Sequence, residues 1–124
     1  MEGFSITIKE TTAQLDARMR VKLKDTTNAI KLDEVANSET PFVIEPTDYA
    51  VLNVHNEKSE NPDYELYLII DKDGTKYVTG SPSFWSAFMS IFNEMKDEKN
   101  WEIEVYKRDS KNYKGKQFLT CSII

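Results

Sequence analysis

The sequence predicts one domain of all-β to α+β class. Segments in which apolar and polar residues alternate, the pattern of half-buried strands, recur along the chain. One segment, near residues 82 to 98, instead shows the three- to four-residue spacing of an amphipathic helix. A length of 124 residues with 40% hydrophobic residues suits a single packed core. We therefore expect residues 1–124 to form a single domain.

Two strands are predicted in the N-terminal part. The first contains Phe4, Ile6 and Ile8 in alternation. The second is residues 18–24, where an extended chain places alternating residues on opposite faces. One face is then basic and the other apolar: Arg18, Arg20, Lys22 and Lys24 against Met19, Val21 and Leu23. A solvated strand face without a ligand remains an alternative interpretation of this segment.

The middle of the chain predicts a connection followed by strands. Residues 25–46 are polar and irregular, although Phe42, Val43 and Ile44 fit a short strand. Residues 49–54 and 64–70 are rich in β-branched and aromatic residues and predict a hairpin with a long polar tip.

A tight turn and one helix follow. Asp73-Gly74 predicts a turn into a strand at residues 75–79, because glycine accepts positive φ. Ser81 is placed to cap a helix that starts at Pro82. The apolar face of this helix contains Phe84, Phe88, Ile91, Phe92 and Met95.

The last two strands are predicted at residues 101–107 and 117–123, joined by a basic loop. This order of elements matches a five-stranded OB-like barrel that has extra N-terminal strands and a helix between strands three and four. Such barrels bind oligonucleotides across their open face and loops.

The charge is concentrated in two segments. The net charge is −5, yet residues 18–24 carry four basic residues and no acid, and residues 107–116 carry five against Asp109 alone. Cations interleaved with aromatic residues are typical of single-strand binders. We predict a nucleic-acid site in the second segment, formed by Tyr106, Lys107, Arg108, Lys111, Tyr113, Lys114, Lys116 and Phe118. The basic residues of 18–24 are candidates for a second side of this nucleic-acid site.

Catalysis, cofactors and metal binding are not expected. His55 and Cys121, the single histidine and cysteine, cannot build a His- or Cys-based metal site alone. Gly115-Lys116 lacks the other residues of a phosphate-binding loop. The sequence start does not resemble a signal peptide, and no apolar run approaches the roughly 18 residues of a membrane helix. We expect a cytoplasmic protein without a membrane partner.

Three stretches together resemble a known family. They are residues 73–85, the helix that follows, and residues 110–121, with Lys-Asn-Tyr-Lys-Gly-Lys at 111–116 as the specific part. They resemble the single-stranded DNA-binding proteins of bacteriophages and mobile elements of Gram-positive bacteria. The resemblance covers residues 42 to 124. It implies an OB-fold and a role in coating single-stranded DNA during phage replication or recombination. Replication or recombination proteins and further copies of the chain are candidate partners, and the bacterial host cell is the expected location.

A second class of function is left open by the rest of the sequence. Outside the two basic segments, the sequence has seven basic and twenty acidic residues. An acidic surface of this kind suits a small interaction protein, such as a DNA mimic or an inhibitor of a host enzyme.

Overall fold

The computed structural model describes residues 4–37, 39–58, 60–110 and 115–124. In chain order the elements are β1 (Phe4–Thr11), α1 (Ala17–Lys24), β2 (Ile30–Lys31), α2 (Leu32–Val35), β3 (Phe42–Ile44), β4 (Pro46–Asn56), β5 (Asp63–Asp71), β6 (Lys76–Thr79), α3 (Pro82–Met95), β7 (Ile103–Asp109) and β8 (Gln117–Ile123). The fold is therefore mostly β, within the predicted α+β class.

The strands form two sheets, with the orders β1-β4-β5-β6-β2 and β3-β7-β8. Within the described part of the chain they do not close into a barrel, so the finer assignment to the OB-fold is not confirmed. The chain also divides into two compact units, Met1–Ile30 with Thr47–Gly80 and Lys31–Pro46 with Ser81–Ile124.

One face of the five-stranded sheet contributes a buried cluster to the first unit. Alternate residues of the strands supply this cluster because successive side chains of a strand point to opposite faces. The fully or almost fully buried members from the strands are Ala50, Leu52, Leu68 and Val78, and Leu23 of α1 joins them. The β5–β6 connection is the predicted turn: the Asp71 N–H donates to the Thr75 carbonyl oxygen at 2.9 Å, and Gly74 has a φ of +87°.

The prediction of a strand at residues 18–24 is wrong, since this segment is the helix α1. Asp16 begins the helix by accepting a hydrogen bond from the Met19 N–H at 2.7 Å. Met19 and Leu23 are four residues apart and lie on one side of a helix, and Leu23 is fully buried. A strand would have faced Val21 to the same side, whereas Val21 is 69% exposed. The cap and the four-residue spacing outweigh the two-residue alternation.

The second unit packs α3 against β8 of the three-stranded sheet. The predicted cap is confirmed, because Ser81 Oγ accepts from the Phe84 N–H and Pro82 begins the helix. Phe84 and Phe88 are fully buried, and the Phe88 ring lies 6.1 Å from that of Phe84 and 5.7 Å from that of Phe92. Ser83 Oγ donates to the Leu119 carbonyl oxygen at 3.2 Å and ties the start of α3 to β8.

Candidate nucleic-acid interface

The β7–β8 hairpin places predicted site residues on one face of its sheet. Arg108 lies directly opposite Phe118, and Tyr106 lies opposite Thr120. Val105 and Cys121, which alternate with these residues, are buried on the other face. The open face, called here the outer face, comprises Val43, Glu104, Tyr106, Arg108, Phe118, Thr120 and Ser122.

Two aromatic rings belong to this outer face. Phe118 is 38% exposed, and its directly opposite neighbour is the exposed Arg108. The Tyr106 hydroxyl lies 2.6 Å from Ser122 Oγ, two residues along β8 from the direct partner of Tyr106. This hydrogen bond directs Tyr106 diagonally toward Ser122, away from the Phe118 end of the face, so the outer face has one held aromatic ring and one more accessible ring.

The charge of the outer face changes along the hairpin. Glu104 lies toward one end, and Arg108 lies four residues further on, toward the loop that also contains the exposed Lys116. Asp109 alternates to the other face, where its carboxylate accepts a hydrogen bond from Gln117 Nε2 at 3.2 Å. The loop end of the outer face is therefore its positive end.

Lys107 belongs to the opposite face. Its Nζ donates to the Asp33 carbonyl oxygen at 2.8 Å, and its backbone N–H donates to the Asn37 carbonyl oxygen at 3.2 Å. These bonds hold the segment around α2 on β7. Lys107 thus has a structural contact in the position where the sequence predicted a ligand contact.

The basic loop is closed at its base by a hydrogen bond from the Ser110 N–H to the Lys116 carbonyl oxygen, at 2.9 Å. Gly115 has a φ of +78°, a conformation that L residues with a side chain rarely adopt. The predicted site residues Lys111, Tyr113 and Lys114 lie outside the described residues.

The cations of α1 belong to the first unit, whereas the β7–β8 hairpin belongs to the second. At 100° per residue, Arg18 and Lys22 lie on one side of the buried face of α1, and Arg20 and Lys24 on the other. All four side chains are exposed. The single basic face predicted for an extended segment is replaced by two rows of cations.

The two titratable groups singled out in the sequence are accounted for by their surroundings. Burial raises the pKa of the Cys121 thiol to about 12. A hydrogen bond to the Asp63 carboxylate, with Nδ1 and Oδ1 2.7 Å apart, is the main cause of a raised His55 pKa.

Among the described residues there is no group of three or more His, Cys, Asp or Glu side chains placed to hold a metal ion. No helix in this part of the chain is long and apolar enough to cross a membrane.

Two residues that matter for these surfaces were not predicted from the sequence. Ser122 holds Tyr106, and the alternation of Phe118, Thr120 and Ser122 could have placed it on the outer face. Lys76 contacts the end of α1, and no local pattern signals a contact between residues 54 positions apart.

Comparison of the chain with protein-family models, with curated proteins and with solved structures found no match.

Proposed function

We propose that this chain binds and coats single-stranded DNA without strong sequence preference, in phage replication or recombination in the bacterial cytoplasm. The observation that carries the proposal is the register of β7 and β8, which makes Arg108 and Phe118 direct neighbours on the face that also has Tyr106. Cations that follow a phosphate backbone beside aromatic rings that stack on bases are what sequence-tolerant binding requires.

We further propose that the chain has an OB-type fold. Support comes from α3 immediately before the last two strands and from the basic loop that joins them. The protein is proposed as a binding protein with no catalytic step, and its proposed partners are DNA, further copies of itself and replication or recombination proteins.

The test is binding of a fluorescently labelled thymidine oligomer, measured by anisotropy at several salt concentrations. Phe118→Ala is expected to cost about 1–3 kcal/mol of binding free energy and to leave the salt dependence nearly unchanged, because stacking involves no counterion release. Tyr64→Ala is the matched control, since Tyr64 is 37% exposed in the first unit. It should bind as the parent does.

The cations should behave differently. Arg108→Gln should flatten the log–log salt slope by about 0.7, the value for one lost phosphate contact on a single strand. Removing Lys111, Lys114 and Lys116 together should weaken binding at every sequence and flatten the slope further. Lys99→Gln, which removes an exposed lysine after α3, is the control. A triple variant that binds as tightly as the parent at every salt concentration would exclude the loop as the site.

The second candidate function is an acidic interaction protein that mimics nucleic acid or inhibits a host enzyme. It is favoured by the excess of acid outside the two basic segments, where seven basic residues face twenty acidic ones. Such a protein should ignore the oligomer and bind a basic partner. Absence of oligomer binding by the parent protein would therefore put this candidate first.

A further inference from the structure

One lysine outside both basic segments holds the end of α1. Lys76 is on β6, where it pairs with Ile70 of β5. Its Nζ donates to the Lys22 carbonyl oxygen at 2.8 Å and also to the Asp25 carbonyl oxygen. Both acceptors belong to the C-terminal end of α1 and the residue that follows it.

These acceptors are the groups that a helix end leaves in need of partners. The last four carbonyl groups of a helix have no N–H partner within the regular helix. In α1 the Val21 carbonyl oxygen accepts from the Asp25 N–H at 3.1 Å. The ammonium group of Lys76 serves the carbonyls of Lys22 and Asp25, and its positive charge also suits the negative end of the helix dipole.

The packing of α1 makes this contact important. With 8 residues, α1 is shorter than the roughly 12–15 residues at which an isolated helix becomes marginally stable. Leu23 is fully buried, but a pocket of about 220 Å³ lies beside it, lined by Met19, Lys22, Leu23, Ile70, Gly74 and Lys76. The pocket borders the last turn, so α1 relies on the contacts at its two ends, with Asp16 at the start and Lys76 at the finish, in addition to the burial of Leu23.

We infer that Lys76 is a positioning residue, which keeps α1 folded and docked so that its two rows of cations are presented to single-stranded DNA. This inference rests on the proposed function. In a docked helix the cations are already ordered when DNA binds. A loosened α1 must be ordered during binding, and the free energy spent on that ordering lowers the affinity. Lys76 acts through α1 and needs no phosphate contact of its own.

The first measurement follows α1 in the free protein by amide hydrogen exchange. The reporters are the Arg20 N–H, bonded to the Asp16 carbonyl oxygen at 3.0 Å, and the Asp25 N–H. Lys76→Met should speed their exchange by about tenfold or more, the ratio that one charge-assisted hydrogen bond supports. Lys72→Met removes an exposed lysine from the adjacent β5–β6 turn and should leave both rates unchanged. Lys76→Arg, which keeps the donors, should restore most of the protection.

The second measurement is affinity for the thymidine oligomer against salt. Lys76→Met should weaken binding by about threefold to tenfold at every salt concentration, the cost of ordering a few side chains, with the slope nearly unchanged. Lys72→Met should match the parent. In a variant in which all four cations of α1 are replaced by Gln, Lys76→Met should have no further effect on binding, because there are no cations left to position.

Three results would overturn the inference while leaving the proposed function intact. One is faster exchange in Lys76→Met with unchanged binding. Another is a slope flattened by about 0.7 with unchanged exchange, which would make Lys76 itself a phosphate contact. The third is no change in either measurement. If the parent protein binds no oligomer at all, the proposed function fails and the positioning role fails with it.

Discussion

The two basic segments have similar composition but fold differently. Residues 18–24 form α1, which spreads its cations into two rows, whereas β7 and β8 gather Arg108, Phe118 and Tyr106 on one face. The difference lies in what surrounds each segment. The α1 segment has a capping Asp16 before it and a buried Leu23 four residues after Met19, while β7 has β3 and β8 hydrogen-bonded on its two sides.

This contrast shows that alternation in a short sequence window does not determine the secondary structure. Alternating cations favour a strand only where neighbouring strands are available to complete the hydrogen bonding. It also separates two kinds of basic surface. The outer face of the β7–β8 hairpin combines charge with aromatic rings, while α1 supplies charge alone.

The largest expected effect concerns the core that supports the hairpin. Phe88→Ala should destabilise the protein by about 3–5 kcal/mol, because the fully buried ring leaves a cavity among Phe84, Trp85 and Phe92. The matched control is Ser86→Ala on the exposed side of α3, which should change stability by less than about 0.5 kcal/mol. Denaturant unfolding measures both. Equal stability of the two variants would contradict the assignment of faces in α3.

The cap of α1 should have a smaller effect. Asp16→Ala should destabilise the folded protein by about 1 kcal/mol, because the Met19 N–H loses its acceptor. Asp16→Ser keeps a capping oxygen and should retain most of the stability. If Asp16→Ala unfolds at the same denaturant concentration as the parent, the conclusion that the Asp16 cap favours a helix over a strand at residues 18–24 loses its main support.

The sign of a still smaller effect distinguishes a helix from a strand. Val21 is 69% exposed, so Val21→Ala removes little buried surface. In a helix this change should stabilise by about 0.5 kcal/mol, because alanine loses less side-chain freedom there than valine. In a strand it should destabilise, because β-branched residues are favoured. Thermal unfolding of the variant and the parent decides between the two.

The smallest expected effect concerns the pKa of His55, which lies outside both basic segments. The Asp63 carboxylate raises the His55 pKa above 6.5, so the folded protein holds a proton more tightly than the unfolded chain. The resulting stabilisation is complete below pH 6.5 and is lost as the pH rises through the higher pKa of the folded state. An NMR titration of the His55 ring in the parent and in Asp63→Asn should show a lower pKa in the variant. Glu57→Gln, which removes a partner 3.6 Å away, should lower it less.

The sequence was informative where local chemistry determines structure. The Ser81-Pro82 start of α3, the turn at Asp73-Gly74 and the strands on both sides of the basic loop were all predicted, because caps, positive φ and alternation act over a few residues. The arrangement into two sheets was not, since it depends on pairings between strands distant in the chain. Ile123 alternates with the buried Leu119 and Cys121, yet it is 45% exposed because it lies at the end of β8.

The site shows the same division. Alternation was enough to place Tyr106, Arg108 and Phe118 near one another, given the predicted hairpin. Lys107 follows the same basic pattern, yet it bonds the carbonyl of Asp33, 74 positions away. Residue type indicated which side chains could contact DNA. Long-range packing determined which of them are engaged elsewhere.

The reactivity of the Cys121 thiol can report how often the β7–β8 hairpin opens. Cys121 is the single cysteine, it lies in β8, and burial raises its pKa to about 12. Thiol reagents attack the thiolate, and the burial and raised pKa of Cys121 disfavour that form in the closed sheet, so labelling is expected mainly when β8 separates from its neighbours. The labelling rate, divided by that of an unfolded thiol, is then the fraction of time the hairpin is open. Under the proposed function, DNA bound to the outer face should slow that rate without touching the sulfur, which makes a natural side chain a reporter of binding.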